Sequence, residues 1–138
     1  MRHQVYGRKL NRDTNQRKAL FRGLVVSLIE KGRIKTTQAK AKAIKGWVDK
    51  LVTIAKKEDA HHYRLLIKEL ANKEACAKLH SELTPLFKER SSGFTKMIKL
   101  GVRQGDDAME VILEWVDKPK PKAEVSKPEM KKLDKTKK

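Results

Sequence analysis

Residues 94–116, Phe-Thr-Lys-Met-Ile-Lys-Leu-Gly-Val-Arg-Gln-Gly-Asp-Asp-Ala-Met-Glu-Val-Ile-Leu-Glu-Trp-Val, decide the fold class, because here the apolar pattern leaves a helical period for that of a strand. Met109, Val111, Leu113 and Trp115 alternate with Glu110, Ile112, Glu114 and Val116, as a strand with one strongly buried face requires. Phe94 to Leu100 is a second β-rich run. Gly101, Gly105 and Asp106-Asp107 lie between the two, so the segment reads as a hairpin whose long, partly basic loop carries Arg103. Turn formation explains the paired aspartates of a Gly-flanked loop better than acid–base chemistry does.

Upstream, the period is helical. Leu20, Leu24 and Leu28 recur four apart, Phe21 and Val25 widen their stripe, and Lys18 and Arg22 lie one turn apart on another side. With N-cap candidates at Asp13, Thr14 and Asn15 and with Gly32 as a C′ residue, the pattern predicts a helix over 14–31. Arg33-Ile34-Lys35 forms a short extended connector. Thr36 or Thr37 then caps a second helix running to about Lys57, with Ile44, Trp47, Val48, Leu51 and Ala55 toward the core and Gly46 interrupting the pattern. A third helix starts at Asp59 and buries Leu66 and Leu70. A fourth runs from about Lys73 to Leu83, with Cys76, Leu79 and Leu83 on one side, and stops before Pro85.

These elements predict an α/β (α+β) fold of several helices packed on a small mixed sheet with a C-terminal β-hairpin. Three parts are expected: a basic extended arm over 1–13, a globular domain over 14–116, and a Lys/Pro-rich tail over 117–138. The tail holds nine Lys, three Pro and four acids, and its few apolar residues have no period. Such a segment buries too little to offset its ordering entropy and is expected to be disordered.

Charge narrows the partners. The 138 residues carry 34 Lys+Arg against 17 Asp+Glu, a formal net charge of +17. That is well beyond the magnitude of roughly 2–8 that suits a small soluble domain. The excess is spread evenly, with net +6 in 1–22, +6 in 23–116 and +5 in 117–138. Like charge on every part costs self-repulsion, which a polyanionic partner removes. The first 22 residues are the densest in cations, with Arg2, Arg8, Lys9, Arg12, Arg17, Lys18 and Arg22 against Asp13 alone. Val5, Tyr6 and Leu10 are too scattered to bury a face there, as in a segment built to lie along a polyanion.

Other classes find little support. There is no P-loop, no G-x-G-x-x-G and no G-x-S-x-G. Adjacent His61 and His62 diverge around a helix. Cys76 and His80, four apart, fit a metal less well than a buried thiol on an apolar face fits its core. A single cysteine excludes an intramolecular disulfide and suits a reducing compartment. No apolar run supports secretion or a membrane span.

The basic residues cluster more suggestively. Arg33-Ile34-Lys35-Thr36-Thr37 sets two cations and two hydroxyls just before a helix N-terminus, where free N–H groups and the helix dipole attract phosphate. Simple capping by threonine uses the same residues. Lys40 and Lys42 oppose the dipole early in that helix, a conflict that a nearby phosphate backbone relieves. Lys96, Lys99 and Arg103 form a further patch in the hairpin. Aromatic residues are few and scattered, which points to backbone and shape recognition of folded RNA rather than base stacking.

Met1-Arg2-His3, Gly7-Arg8-Lys9-Leu10-x-Arg12 and Arg17-x-Ala19-Leu20 resemble the opening of the bacterial large-subunit ribosomal protein L-seventeen family. Arg33-Ile34-Lys35-Thr36-Thr37-x-Ala39-Lys40-Ala41-Lys42 and Asp49-Lys50-Leu51-Val52-Thr53-x-Ala55-Lys56 are similar to its most diagnostic segment. Gly93-Phe94-Thr95-Lys96 and Arg103-x-Gly105-Asp106 resemble its hairpin. Two features depart from the pattern: Gln4-Val5 stands where the family is often more basic, and Ser92-Gly93-Phe94 replaces Gly-Gly-Tyr.

The resemblance implies a structural constituent of the large (50S) subunit of the cytoplasmic ribosome. Such a protein binds folded 23S rRNA near the polypeptide exit tunnel, supports translation, and has neither catalysis nor a cofactor. It also implies a neighbouring ribosomal protein, L-thirty-two, as a partner. Carried over by position, the RNA-facing set is Arg2, His3, Arg8, Lys9, Arg12, Arg17, Lys18 and Arg22, then Arg33, Lys35, Thr36, Thr37, Lys40 and Lys42, and finally Lys96, Lys99 and Arg103. A nucleoid-type DNA-binding protein would show a dimer seam or a groove-reading helix, and an RNA-processing enzyme would need a general base in a pocket. The sequence offers neither.

Overall fold

The structure is a computed structural model that describes residues 7–117. The expectations for Arg2, His3 and the tail from Lys118 onward lie outside the described residues. Four helices pack on one face of a three-stranded sheet. In chain order these are α1 (Thr14–Lys31), β1 (Arg33–Thr37), α2 (Gln38–Ala55), α3 (Ala60–Leu70), α4 (Lys73–Lys78), β2 (Thr95–Val102) and β3 (Met109–Trp115). This is the expected class, with the hairpin in place.

The sheet has the order β1-β3-β2, and both pairings are antiparallel. It is therefore antiparallel throughout rather than mixed: β3 lies between the other two strands and runs against each. The Arg33-Ile34-Lys35 connector is the first part of a full strand, from Arg33 opposite Glu114 to Thr37 opposite Glu110. Ile34 is buried there against the apolar face of β3. A register shift between Lys99 and Gly101 bulges the edge strand β2, and beyond it Leu100 and Val102 stand exposed.

The core collects the apolar side of every element. Val111, Leu113 and Trp115 supply the inner face of β3, and Ile44, Val48, Leu51, Val52 and Ala55 that of α2. Val25, Leu28 and Ile29 of α1 are buried, while Phe21 and Leu24 of its first half are only partly covered. Trp115 is the hub. Its Nε1 donates to the Leu28 carbonyl at 3.1 Å, and Phe87 packs at 5.8 Å from it and 5.2 Å from Phe94, ring centre to ring centre.

The ends of the helices show local chemistry. Gly32 closes α1 at φ 75°, donating its N–H to Leu28, as expected of a left-handed C′ residue. Ala71 takes the same position after α3 at φ 54°, where its Cβ is strained. The fourth helix is not one regular run. After Lys78 it widens into a π-helical turn over Leu79–Leu83, then tightens into a 3-10 turn over Thr84–Phe87 that contains Pro85. The Leu79 carbonyl accepts both the backbone N–H and the hydroxyl of Thr84, the latter at 2.9 Å, which holds the wider turn.

Candidate nucleic-acid interface

Most of the cations anticipated from the sequence fall into two groups with different surroundings. The first lies where α1, α2 and the end of α3 meet. There a cleft of about 590 Å³ is lined by Arg8, Arg17, Lys18 and Arg22 together with Lys50 and Lys68, and Glu69 is the one acid among the described residues that line it. Four of the anticipated residues are thus brought to one place by packing. Among the described residues Arg8, Lys9, Lys18 and Lys50 make no ion pair.

The arm that delivers Arg8 to the cleft is held by its own backbone. Expected as an extended segment, it turns tightly before α1: Leu10 and Asn11 both have positive φ, and the Arg12 N–H bonds to the Lys9 carbonyl at 3.2 Å. Arg12 Nη1 donates to the Leu10 carbonyl and Arg17 Nη1 to the Arg12 carbonyl, at 2.9 and 3.3 Å. Arg22 is different. Its Nε donates to the Glu69 carbonyl at 2.7 Å and its Nη2 to that of Lys68 at 3.0 Å, a cation on the negative end of the α3 dipole. It closes the cleft and ties α1 to α3.

The second group lies on the sheet and its hairpin loop, where Lys35, Lys96 and Arg103 each find a carboxylate. Lys35 Nζ sits 2.7 Å from Glu110 Oε2, and Lys96 Nζ 3.0 Å from Glu114 Oε1. Glu114 is only 5% exposed. Arg103 grips Asp106 through two bonds, Nη2 to Oδ2 at 2.6 Å and Nε to Oδ1 at 3.0 Å, and its Nη1 is 3.7 Å from Glu110. The bond to Arg103 holds the Asp106 carboxyl down to about 2, and the same bond raises the Arg103 guanidinium. Arg33 faces Glu114 across the β1–β3 ladder, whereas Lys99 stands exposed opposite Val111.

At the start of α2, Thr37 occupies the N-cap position, yet its hydroxyl makes no capping hydrogen bond. Capping therefore does not account for the Thr36-Thr37 pair. Lys40 is half-buried and Lys42 exposed in the following turn. Further cations serve the fold through main-chain oxygens: Lys78 Nζ donates to the Glu30 carbonyl at 2.7 Å, and Lys56 Nζ to the Arg90 carbonyl while lying 4.8 Å from the Phe94 ring centre.

Sequence reading missed Lys50 and Lys68; it assigned Phe21 and Trp47 to the core, against which both pack, but not to the cleft that their exposed sides line. One signal was available, since Lys50 follows Trp47 by three residues and shares its side of α2. The other suspected chemistry does not assemble. Cys76 is fully buried, which pushes its thiol up, and His80 lies edge-on to Tyr63 at 6.1 Å. Among the described residues no His, Cys, Asp and Glu side chains cluster to hold a metal, and no helix is long and apolar enough to cross a membrane.

The family described as Ribosomal protein L17 matches residues 20–116. Among curated proteins, the large ribosomal subunit protein bL17 of Thermodesulfovibrio yellowstonii is 49% identical over 131 residues, covering 95% of this chain and 98% of that one. Those of Persephonella marina and Rubrobacter xylanophilus are 48% and 46% identical, covering 86% and 85% of this chain and 98% and 97% of their own lengths.

Proposed function

Since the chain belongs to the ribosomal protein L17 family, and is a structural component of the large ribosomal subunit rather than an enzyme, we propose that it binds and stabilises folded 23S rRNA near the polypeptide exit tunnel and so supports translation. The observation that carries this reading is the cleft between α1, α2 and α3, where six cations surround one acid among the described residues. That arrangement repels itself in the free protein, and a phosphate backbone relieves the repulsion. Arg8, Arg17, Lys18 and Lys50 take phosphates in the cleft. Arg2, His3, Lys9 and Arg12 extend this contact along the arm, and Arg33, Thr36, Thr37, Lys40, Lys42 and Lys99 extend it across the start of α2 and the sheet. The paired cations Lys35, Lys96 and Arg103 contribute less, because an RNA phosphate must compete with a carboxylate already in place.

A protein neighbour, L-thirty-two, meets the opposite kind of surface in this reading. Ile98, Leu100 and Val102 are 43–57% exposed along the bulged edge strand β2, which leaves an apolar strip suited to a protein partner. Deleting residues 2–12 tests the rRNA reading. The truncated chain is expected to fold, with an unchanged far-ultraviolet spectrum, but to enter large subunits poorly when competing with the full chain. Equal incorporation contradicts the role given to the arm.

A further inference from the structure

The floor of the basic cleft is aromatic. Trp47 of α2 and Phe21 of α1 both line it, with ring centres 6.3 Å apart and planes tilted by 40°. Ala43 and Gly46 lie beside the indole on α2 and carry no side chain long enough to cover it. A glycine inside a helix is destabilising, and this one stands among the residues that line the cleft. The rim carries Arg8, Arg17, Lys18 and Lys50. A half-exposed aromatic floor with a cationic rim is the combination that holds a nucleotide, with its base against a ring and its phosphates on the rim. The cleft volume lies within the range of pockets that enclose small ligands.

We propose that this cleft receives an unstacked nucleotide of the bound RNA, its base lying on Trp47 and Phe21 and its flanking phosphates on Arg8, Arg17, Lys18 and Lys50. The proposal rests on the rRNA reading and adds to it a contact with a base, beyond recognition of backbone and shape. An alternative is that Phe21 and Trp47 merely cap the core while phosphates cross above them. The two arrangements differ in whether the indole is touched.

The chain has two tryptophans, and they are easily separated. Trp115 is fully buried and bonded to Leu28, so only Trp47 is within reach of a ligand. The experiment titrates the full chain with purified 23S rRNA. It follows tryptophan emission and, in parallel, binding by filter retention at several salt concentrations. Emission from Trp47 is expected to be quenched in proportion to the bound fraction. Trp47→Leu should weaken binding at least fivefold with little change in salt dependence, since stacking releases no counterions, and Trp47→Phe should restore most of the affinity. Gly46→Leu favours the helix while filling the cleft, so it should fold and show the same loss. Binding that leaves Trp47 emission unchanged, or is as tight in Trp47→Leu and Gly46→Leu as in the parent, overturns the proposal and leaves the rRNA reading standing. Failure of the parent chain to bind 23S rRNA overturns both.

Discussion

The helical cleft and the sheet carry cations in similar number but put them to different use. On the sheet, the carboxylates of Glu110 and Glu114 lie across the strands from their partners, so Lys35, Lys96 and Arg103 are neutralised by folding itself. In the cleft, among the described residues, Arg8, Lys18 and Lys50 gather around a single acid without pairing. Charge on the sheet thus stabilises the domain. Charge in the cleft opposes folding slightly, and this opposition is relieved only by a ligand. Counting basic residues does not separate these roles; the placement of acids does.

Arg22 tests where the division falls, because it sits in the cleft yet bonds to main-chain oxygens. Arg22→Ala removes two charge-assisted bonds to the end of α3 and should lower stability by about 2 kcal/mol in denaturant titration. A change confined to RNA affinity would move Arg22 to the ligand-binding group. On the sheet, Glu114→Gln should lower stability by about 1 kcal/mol, since Lys96 is half-exposed and water screens much of the loss. The same variant should bind RNA more tightly, because an acid has gone; weaker binding would contradict the division.

Two smaller effects sharpen it. Ala71→Gly relieves the left-handed strain at the end of α3, the wall that Arg22 grips, and should raise stability by about 0.5 kcal/mol once the greater freedom of unfolded glycine is allowed for. Thermal melting checks this. The smallest effect concerns Asp106. Its carboxyl is held down to about 2 by Arg103, so the contribution of this exposed pair is complete above the ordinary carboxylate range. It is lost as pH falls from about 4 toward 2. A carboxyl titration followed by NMR should place the Asp106 midpoint near 2, and a midpoint near 4 would show that the hairpin loop does not hold the pair.

Much of this fold was legible in the sequence. The N-cap candidates from Asp13 to Asn15 and Gly32 marked the two ends of α1, and the alternation from Met109 to Trp115 marked the buried face of β3. The strand β1 was less legible because its partner lies some eighty residues away and Arg33-Ile34-Lys35 is too short to show a period. The widening after Lys78 was hidden as well, since it depends on a hydroxyl at Thr84 reaching back to Leu79. For the interface, residue types were readable but company was not. Glu110 and Glu114 were visible on β3, yet only the register shows which cations they neutralise. The cleft draws on three helices and the arm, so Lys50, Lys68 and Trp47 join it only through packing.

The most direct test compares the salt dependence of 23S rRNA binding for two full-length variants. One replaces Arg8, Arg17, Lys18 and Lys50 with Gln, and the other replaces Lys35, Lys96 and Arg103 with Gln. If roughly 0.7–0.9 counterions are released per phosphate contact, the cleft variant should lose about three units of slope in log Kd against log salt. The sheet variant should lose less than one unit while becoming less stable. An equal loss in both variants, or a greater one from the sheet, would contradict the claim that the cleft is where this protein holds its RNA.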